Sequence, residues 1–203
     1  MGYTNYSIIL LFFLFLNFFA VAQDNVPFER KYFKDNKEGF RNAMDHFYEG
    51  SDYYEDSSFA MALKHYLIAN EFNPNNAILN YRIGDCCLNS VKTSDAIKYF
   101  KKAFEINREI AEDIHYKMGL AYQAVLKFDK AKEEYNKFKI SLSPNVLYDW
   151  YPIIKKRVAE CNTGKILVQN ATSGMVKNIR NVNTKFPEYC PLISADETVM
   201  IYT

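Results

Sequence analysis

One pattern of glycine, alanine and aromatic residues recurs three times along the chain, and it limits the possible folds more than any other feature of the sequence. Gly50, Gly84 and Gly119 are 34 and then 35 residues apart. Each is followed at matching distances by Ala62, Ala96 and Ala131, then by Tyr66, Phe100 and Tyr135, then by Ala69, Ala103 and Phe138. A period of this length indicates an array of repeated structural units.

The spacing within each copy predicts two antiparallel helices. Small and aromatic residues recur at intervals of three and four, which places them on one face of a helix. A glycine in the first helix lacks a Cβ atom, so the second helix can approach closely at that point. One such pair cannot bury its apolar face alone, so neighbouring units are expected to stack into a solenoid.

These features resemble the tetratricopeptide repeat, a helix-turn-helix unit of 34 residues. The resemblance covers three units, residues 43–76, 77–110 and 112–145, and implies an all-α solenoid. The fourth position, usually Trp or Tyr, holds His46, Asn80 and His115, and Glu49 replaces the usual Leu at a position where Ile83 and Met118 conform.

The resemblance also implies a binding groove, because arrays of this kind take protein or peptide segments on the face lined by the first helix of each unit. The inward positions are the fifth, ninth and twelfth of each unit: Phe47, Ser51, Tyr54, Tyr81, Asp85, Leu88, Tyr116, Leu120 and Gln123. The fifth is aromatic in every unit, which suits a binding surface. The alternative is that these rings only pack against a neighbouring helix. The Lys and Asn clamp that grips a peptide C-terminus in some family members is not reproduced.

Both ends of the array are predicted to carry further helix. Residues 23–42 are expected to extend the first helix backwards or to form a short helix of their own. Residues 146–162 are expected to form a closing helix whose regular part begins at Pro152. Its buried face would hold Trp150, Ile153, Ile154 and Val158, and its wet face Lys155, Lys156 and Arg157.

The first 22 residues predict a secretory signal peptide. Ile8 to Ala22 is apolar apart from Asn17, and Ala20-Val21-Ala22 precedes Gln23 as a cleavage site. An uncleaved anchor is the alternative, but this stretch is shorter than the roughly 20 residues that a bilayer crossing needs. We expect an exported, periplasmic protein, with association to the outer membrane as a second option.

Charge and cysteine content exclude several functions. The chain has 25 basic and 24 acidic residues with no block of one sign, so nucleic acid is not an expected partner. Cys86, Cys87, Cys161 and Cys190 form no CxxC motif, and no histidine lies at ligand spacing, so no metal is predicted. Buried thiols are favoured over a Cys161 to Cys190 disulfide. His46, His65 and His115 are interpreted as packing or surface residues.

The C-terminal segment is predicted to contain β-structure in place of helices. Residues 163–186 are interpreted as a linker that contains a short strand, KILVQN, and residues 187–203 as a hairpin. The hairpin resembles the signature of TolB-like propeller blades at Pro191, Ser194, Asp196, Ile201, Tyr202 and Thr203, with Glu197 in place of Gly. Since a lone hairpin is marginal in water, we expect these residues to be the front of a longer protein.

This order of segments resembles the periplasmic scaffold proteins of gliding motility and type IX secretion, which end in an OmpA-like peptidoglycan-binding domain. The resemblance implies a non-catalytic adaptor in an envelope-spanning machine, with cell-wall contact only through a further C-terminal domain. A stand-alone, chaperone-like periplasmic adaptor is the alternative.

An enzyme, including the front part of a propeller-linked hydrolase, is the remote alternative. The sequence has no GxSxG, no HExxH and no glycine-rich phosphate loop. We therefore predict no catalysis, no cofactor and no small-molecule substrate. Asp85 near Tyr81 is the one place where chemistry would be sought.

Overall fold

Seven α-helices and one small hairpin make up the computed structural model of this chain, which describes residues 24–171, 174, 192–195 and 198–201. The helices are α1 (Lys37–Glu55), α2 (Phe59–Phe72), α3 (Ala77–Leu88), α4 (Thr93–Ile106), α5 (Ile114–Ala124), α6 (Phe128–Ser141) and α7 (Pro144–Gln169). They pair in order as α1 with α2, α3 with α4 and α5 with α6, which are the three predicted units. The chain divides near residue 167 into two compact units.

The first helix of the array begins earlier than residue 43. Asn36 caps it, since its Oδ1 accepts a hydrogen bond of 2.9 Å from the Gly39 amide. Ahead of the cap lies a short 3-10 helix, Arg30–Tyr32. Residues before 43 therefore both extend the first helix and form a short one. Asn76 caps α3 in the same way, through the amide of Leu79.

Glycines hold the two helices of each unit together. A Cβ atom built on Gly84 would lie 2.7 Å from the ring of Phe100. Gly50 meets Tyr66 and Gly119 meets Tyr135 in the same manner. These rings are almost fully buried. The glycine and aromatic positions of the repeat are therefore contact partners, and the predicted alignment is confirmed.

The core runs continuously along the helices. The largest cluster joins α2, α3, α4 and α5, and a second joins α5, α6 and α7; Ile97 packs against both. Cys86, Cys87 and Cys161 are free thiols and lie fully inside, as the sequence predicts. Cys190 lies outside the described residues.

The closing helix differs from its prediction at both ends. α7 begins at Pro144, with the Leu147 amide donating to the Ser143 carbonyl, so Pro144 occupies the first turn in place of Pro152. Pro152 lies inside the helix. It leaves the Tyr148 carbonyl without a helical donor. Tyr148 is 83% exposed, so water can supply that donor.

The KILVQN segment is helical, and its prediction as a strand is wrong. Contacts with α6 explain why the helix continues: the backbone of Gly164 packs on the ring of Phe128, and Lys165 Nζ lies 2.7 Å from Asp129 Oδ2. Tertiary packing therefore overrides the β-preference of the Ile-Leu-Val run.

The faces of α7 follow the prediction only in part. Ile154 is buried, and Trp150 and Val158 pack on the core. Ile153 is exposed, and Arg157, predicted on the wet face, is half-buried.

The predicted C-terminal hairpin is present. β1 (Leu192–Ile193) pairs antiparallel with β2 (Met200–Ile201), with Leu192 opposite Ile201. Ser194 Oγ accepts hydrogen bonds from the amides of Thr198 and Val199, which closes the connection. Five residues of the propeller signature lie outside the described residues, namely Pro191, Asp196, Glu197, Tyr202 and Thr203, so the propeller resemblance stays a prediction.

Among the described residues, none of the helices combines the length and the hydrophobicity that a membrane span needs. The predicted signal peptide, residues 1–22, lies outside them.

Leu126 stores backbone strain that a glycine would remove. It has φ 59° in the turn after α5, where the Lys127 amide bonds back to the Tyr122 carbonyl in a helix-ending motif that favours glycine. Leu126→Gly is expected to raise the free energy of unfolding by about 0.5–1 kcal/mol, because relief of strain outweighs the flexibility that glycine adds to the unfolded chain. Urea unfolding measures the change. Leu126→Ala retains the Cβ and should give no gain; an equal gain would place the effect in the side chain instead.

Candidate protein-binding groove

The first helices of the three units carry all nine predicted groove residues. α1 holds Phe47, Ser51 and Tyr54; α3 holds Tyr81, Asp85 and Leu88; α5 holds Tyr116, Leu120 and Gln123. Asp85 is 6% exposed and the other eight are half-buried. Their role in binding stays a prediction, but their contacts show what else they do.

The aromatic rings at the fifth position pack inside their own unit. Ring centroids lie 6.0 Å apart for Phe47 and Tyr66, and 5.8 Å apart for Tyr81 and Phe100. Tyr116 and Tyr135 follow at 5.7 Å. The partner ring is in each case the one that covers the unit's glycine. Packing against a neighbouring helix, the alternative in the sequence analysis, is therefore part of what these rings do.

The tyrosine hydroxyls connect one unit to the next. Tyr54 OH donates to Asp85 Oδ2, and Tyr81 OH donates to Asp113 Oδ1 at 2.7 Å. Lys117 Nζ lies 2.7 Å from Asp85 Oδ1 and 3.8 Å from Asp113 Oδ2. We call these five residues the tyrosine-carboxylate ladder. It joins α1 to α3 and α3 to α5 with charge-assisted hydrogen bonds.

Burial keeps the ladder phenols protonated. It raises the pKa of Tyr54 and of Tyr81 far above the usual value, and the carboxylate that each hydroxyl faces raises the pKa further. Burial also raises the pKa of Cys86 to about 12, with the charge of Asp85 as the second cause. The thiolate is the nucleophilic form, so Cys86 is inert at neutral pH. Both carboxylate oxygens of Asp85 are engaged by Tyr54 and Lys117.

Arg82 is a groove residue that the sequence analysis missed. Its Nη1 donates to Ser51 Oγ at 2.7 Å and to Tyr66 OH at 3.1 Å. Its guanidinium lies 5.4 Å from the centroid of Phe47 and 5.7 Å from that of Tyr54. The available signal was the one cation of the mostly apolar helix sequence AILNYRIGDCCL, because a cation that is not fully solvated needs partners.

The last junction, between α5 and α7, is polar as well. Gln123 accepts from Tyr135 OH at 2.7 Å and donates to Glu160 Oε2 at 3.1 Å. Arg157 binds Glu160 at 3.0 Å and donates to Tyr116 OH at 3.4 Å. These bonds from Gln123 and Arg157 lower the pKa of Glu160. α7 therefore continues the pattern of side-chain bridges between units.

The cations beside the predicted groove already have partners within the chain. Arg82 binds two hydroxyls, Lys117 binds two carboxylates and Arg157 binds Glu160. A carboxylate ligand would have to compete with Asp85 and Asp113 for Lys117 or with Glu160 for Arg157, and this exchange gains little since charged groups lose hydration when buried.

Solved structures of tetratricopeptide domains share this architecture. The second such domain of human RPAP3, solved in complex with an HSP70 peptide, has a TM-score of 0.50 and 14% identity, covering 61% of this chain and 98% of that one. The TPR2B domain of yeast Sti1, in a pHsp70 complex, has a TM-score of 0.50 and 17% identity with the same coverage. The first such domain of human RPAP3 covers 64% of this chain and 98% of that one, at 17% identity and a TM-score of 0.50.

Identities this low show the fold alone. The tetratricopeptide solenoid predicted from the repeat is confirmed. No protein-family model and no curated protein sequence matches the chain.

Proposed function

We propose that the tetratricopeptide array is a non-catalytic interaction module that binds a segment of a partner protein along α1, α3 and α5. The observation that carries the proposal is the partial burial of the nine inward residues. Eight of the nine are half-buried, so they combine fixed rotamers with surface that a ligand can still cover. Rigid aromatic and polar groups of this kind lose little entropy on binding.

The charges favour a partner that binds through ring contacts and hydrogen bonds. RPAP3 and Sti1 have been solved with HSP70 peptides, but here Lys117 and Arg157 are paired with carboxylates of the chain, and Arg82 is hydrogen-bonded to two hydroxyls. We therefore propose an internal, uncharged or charge-balanced segment as the ligand, and not an acidic C-terminal tail.

Tyr81→Ala combined with Tyr116→Ala tests the groove. The double variant removes two fifth-position rings, and we expect it to lose at least about tenfold in the amount of partner captured from an envelope extract, as for loss of aromatic anchors. The control is Tyr148→Ala with Tyr151→Ala, which removes two exposed rings of α7. Capture by the control should match that of the unchanged chain.

Thermal unfolding followed by circular dichroism must show that both double variants are folded at the capture temperature. Equal capture by the folded Tyr81 and Tyr116 variant would contradict the groove. A milder pair, Tyr81→Phe with Tyr116→Phe, keeps the rings and separates ring contact from the hydroxyl bonds.

We also propose that the module acts in the bacterial envelope as part of a scaffold related to gliding and type IX secretion, with a stand-alone chaperone-like adaptor as the alternative. The apolar N-terminal segment and the order of segments support this. The N-terminus of the native protein tests the export step, and Gln23 at the front is expected. A product that retains Met1 would contradict export by signal cleavage.

A further inference from the structure

Three side chains with metal-binding atoms converge between α1 and α2. His46 and Glu49 are one turn apart on α1, and His65 faces them from α2. Spacing along the sequence does not reveal this group, because His65 is distant in the chain and His46 and Glu49 stand out there only as departures from the repeat. Among the described residues, this is the one group of three or more His, Cys, Asp and Glu ligand atoms found to converge.

The separations fit a single small cation. His46 Nδ1 lies 3.0 Å from His65 Nδ1, and Glu49 Oε2 lies 2.8 Å from His65 Nδ1 and 3.7 Å from His46 Nδ1. Two ligand atoms bound to Zn²⁺ at about 2.0–2.1 Å in tetrahedral geometry are about 3.3 Å apart. The three observed edges lie on either side of that value, so the atoms form one face of a zinc tetrahedron with small adjustments.

Hydrogen bonds alone cannot join all three ligand atoms with good geometry. His65 Nδ1 can carry one hydrogen, and that hydrogen can point at Glu49 or at His46 but not linearly at both. If it points at Glu49, the two Nδ1 atoms face each other at 3.0 Å without a good bond between them. A cation at the centre accepts electron pairs from all three atoms together.

The equivalent place in the third unit shows what a proton-satisfied pair looks like. His115 occupies the position of His46, and Glu134 that of His65, with Nδ1 and Oε2 2.7 Å apart. Lys137 binds the other oxygen of Glu134 at 2.7 Å. Met118 stands where the first unit has Glu49, so no third ligand is present there. The first unit has a carboxylate, Glu49, at the position of Met118 and a second imidazole, His65, at the position of Glu134.

We propose that His46, Glu49 and His65 form a binding site for Zn²⁺ or a similar late first-row divalent cation. Two imidazoles and one carboxylate are ligands that such cations prefer. The cation cross-links α1 to α2 at the start of the array. Glu49 is 56% exposed, so the fourth coordination position faces solvent and takes water or a donor atom from a bound partner.

Zinc titration of the full chain tests the site, after treatment with chelator and removal of any histidine tag. Calorimetry should show one equivalent of Zn²⁺ bound, and Co²⁺ in its place should give the visible absorption of a tetrahedral complex. Glu49→Gln keeps the size of an exposed side chain and should weaken binding at least about tenfold. His65→Gln moves the polar atoms away from the Nδ1 position and should weaken it about a hundredfold.

His115→Gln is the matched control, since it removes a histidine from the corresponding pair in the third unit. It should bind Zn²⁺ as the unchanged chain does. Absence of a one-equivalent site in the unchanged chain would overturn the proposal. So would unchanged affinity in Glu49→Gln, which does not depend on whether His65→Gln folds. Capture of a partner by the groove is a separate measurement, so the two proposals can fail independently.

Discussion

Gly84→Leu is expected to destabilise the array by at least about 3 kcal/mol, a large fraction of the 5–15 kcal/mol that holds a typical domain folded. The first added carbon would lie 2.7 Å from the Phe100 ring, and three more carbons follow it into a filled space. The ring is fully buried, so it cannot move aside into solvent. Leucine's better helix propensity offsets only about 1 kcal/mol of this loss. Urea unfolding of the full chain measures the change.

Two companions show that the cause is the contact with Phe100. Ala60→Leu adds three of these four carbons at an exposed position of α2 and should change stability by less than about 0.5 kcal/mol. Gly84→Ala combined with Phe100→Leu should lose less than the two single changes together, because the smaller side chain makes room for the methyl group. A melt of Gly84→Leu that matches the unchanged chain would contradict the alignment of the repeats.

Asp85→Asn is expected to cost about 2–4 kcal/mol, since it removes the charge that balances Lys117 in the ladder. Asp85 is 6% exposed, and Lys117 Nζ is left with Asp113 at 3.8 Å as its acidic partner within 4.0 Å among the described residues. Tyr54 also loses a charged acceptor for its hydroxyl. Chemical unfolding at neutral pH measures the loss.

Asp129→Asn is the matched control for Asp85→Asn. Asp129 pairs with Lys132 and Lys165, but its side chain is 61% exposed, so its removal should cost less than about 1 kcal/mol. Adding Lys117→Met to Asp85→Asn should recover part of the stability, because it removes the uncompensated cation. Equal losses in the two Asp variants would show that Asp85 contributes no more to stability than an exposed ion pair does.

The sequence predicts the array well because its strongest signals are local and repeated. A ring that packs this closely on the facing helix leaves no space for a Cβ atom, and the interval between Gly84 and Phe100 recurs in every unit. The ends of the helices were harder to predict. Pro152 and the Ile-Leu-Val run both argue for interruption, whereas the contact of Gly164 with Phe128 continues the helix. That contact depends on how α7 lies on α6, which no short stretch of sequence records.

The sequence predicts which helices carry the candidate groove residues, but it does not predict which side chains contact one another. The repeat pattern places Tyr54, Tyr81 and Asp85 correctly on the first helices. It does not show that a hydroxyl in one unit meets a carboxylate in the next, because side chains of that length reach across the junction only at one stacking angle. The convergence of His46 and His65 was missed for a related reason. Comparing the fourth and twenty-third positions of the three units would have found it.

The hydroxyls of Tyr54 and Tyr81 take part in the bonds between units and lie where a ligand of the groove would bind. Tyr54 and Tyr81 join successive units through Asp85 and Asp113, and they also occupy the predicted inward positions. A ligand that accepts a hydrogen bond from either hydroxyl must first draw that hydroxyl away from its carboxylate, Asp85 or Asp113. For such a ligand, occupancy of the groove and the angle between units are thermodynamically linked. Binding of the ligand then favours a different curvature of the array. A force that bends the array changes the ligand's affinity by the same coupling free energy.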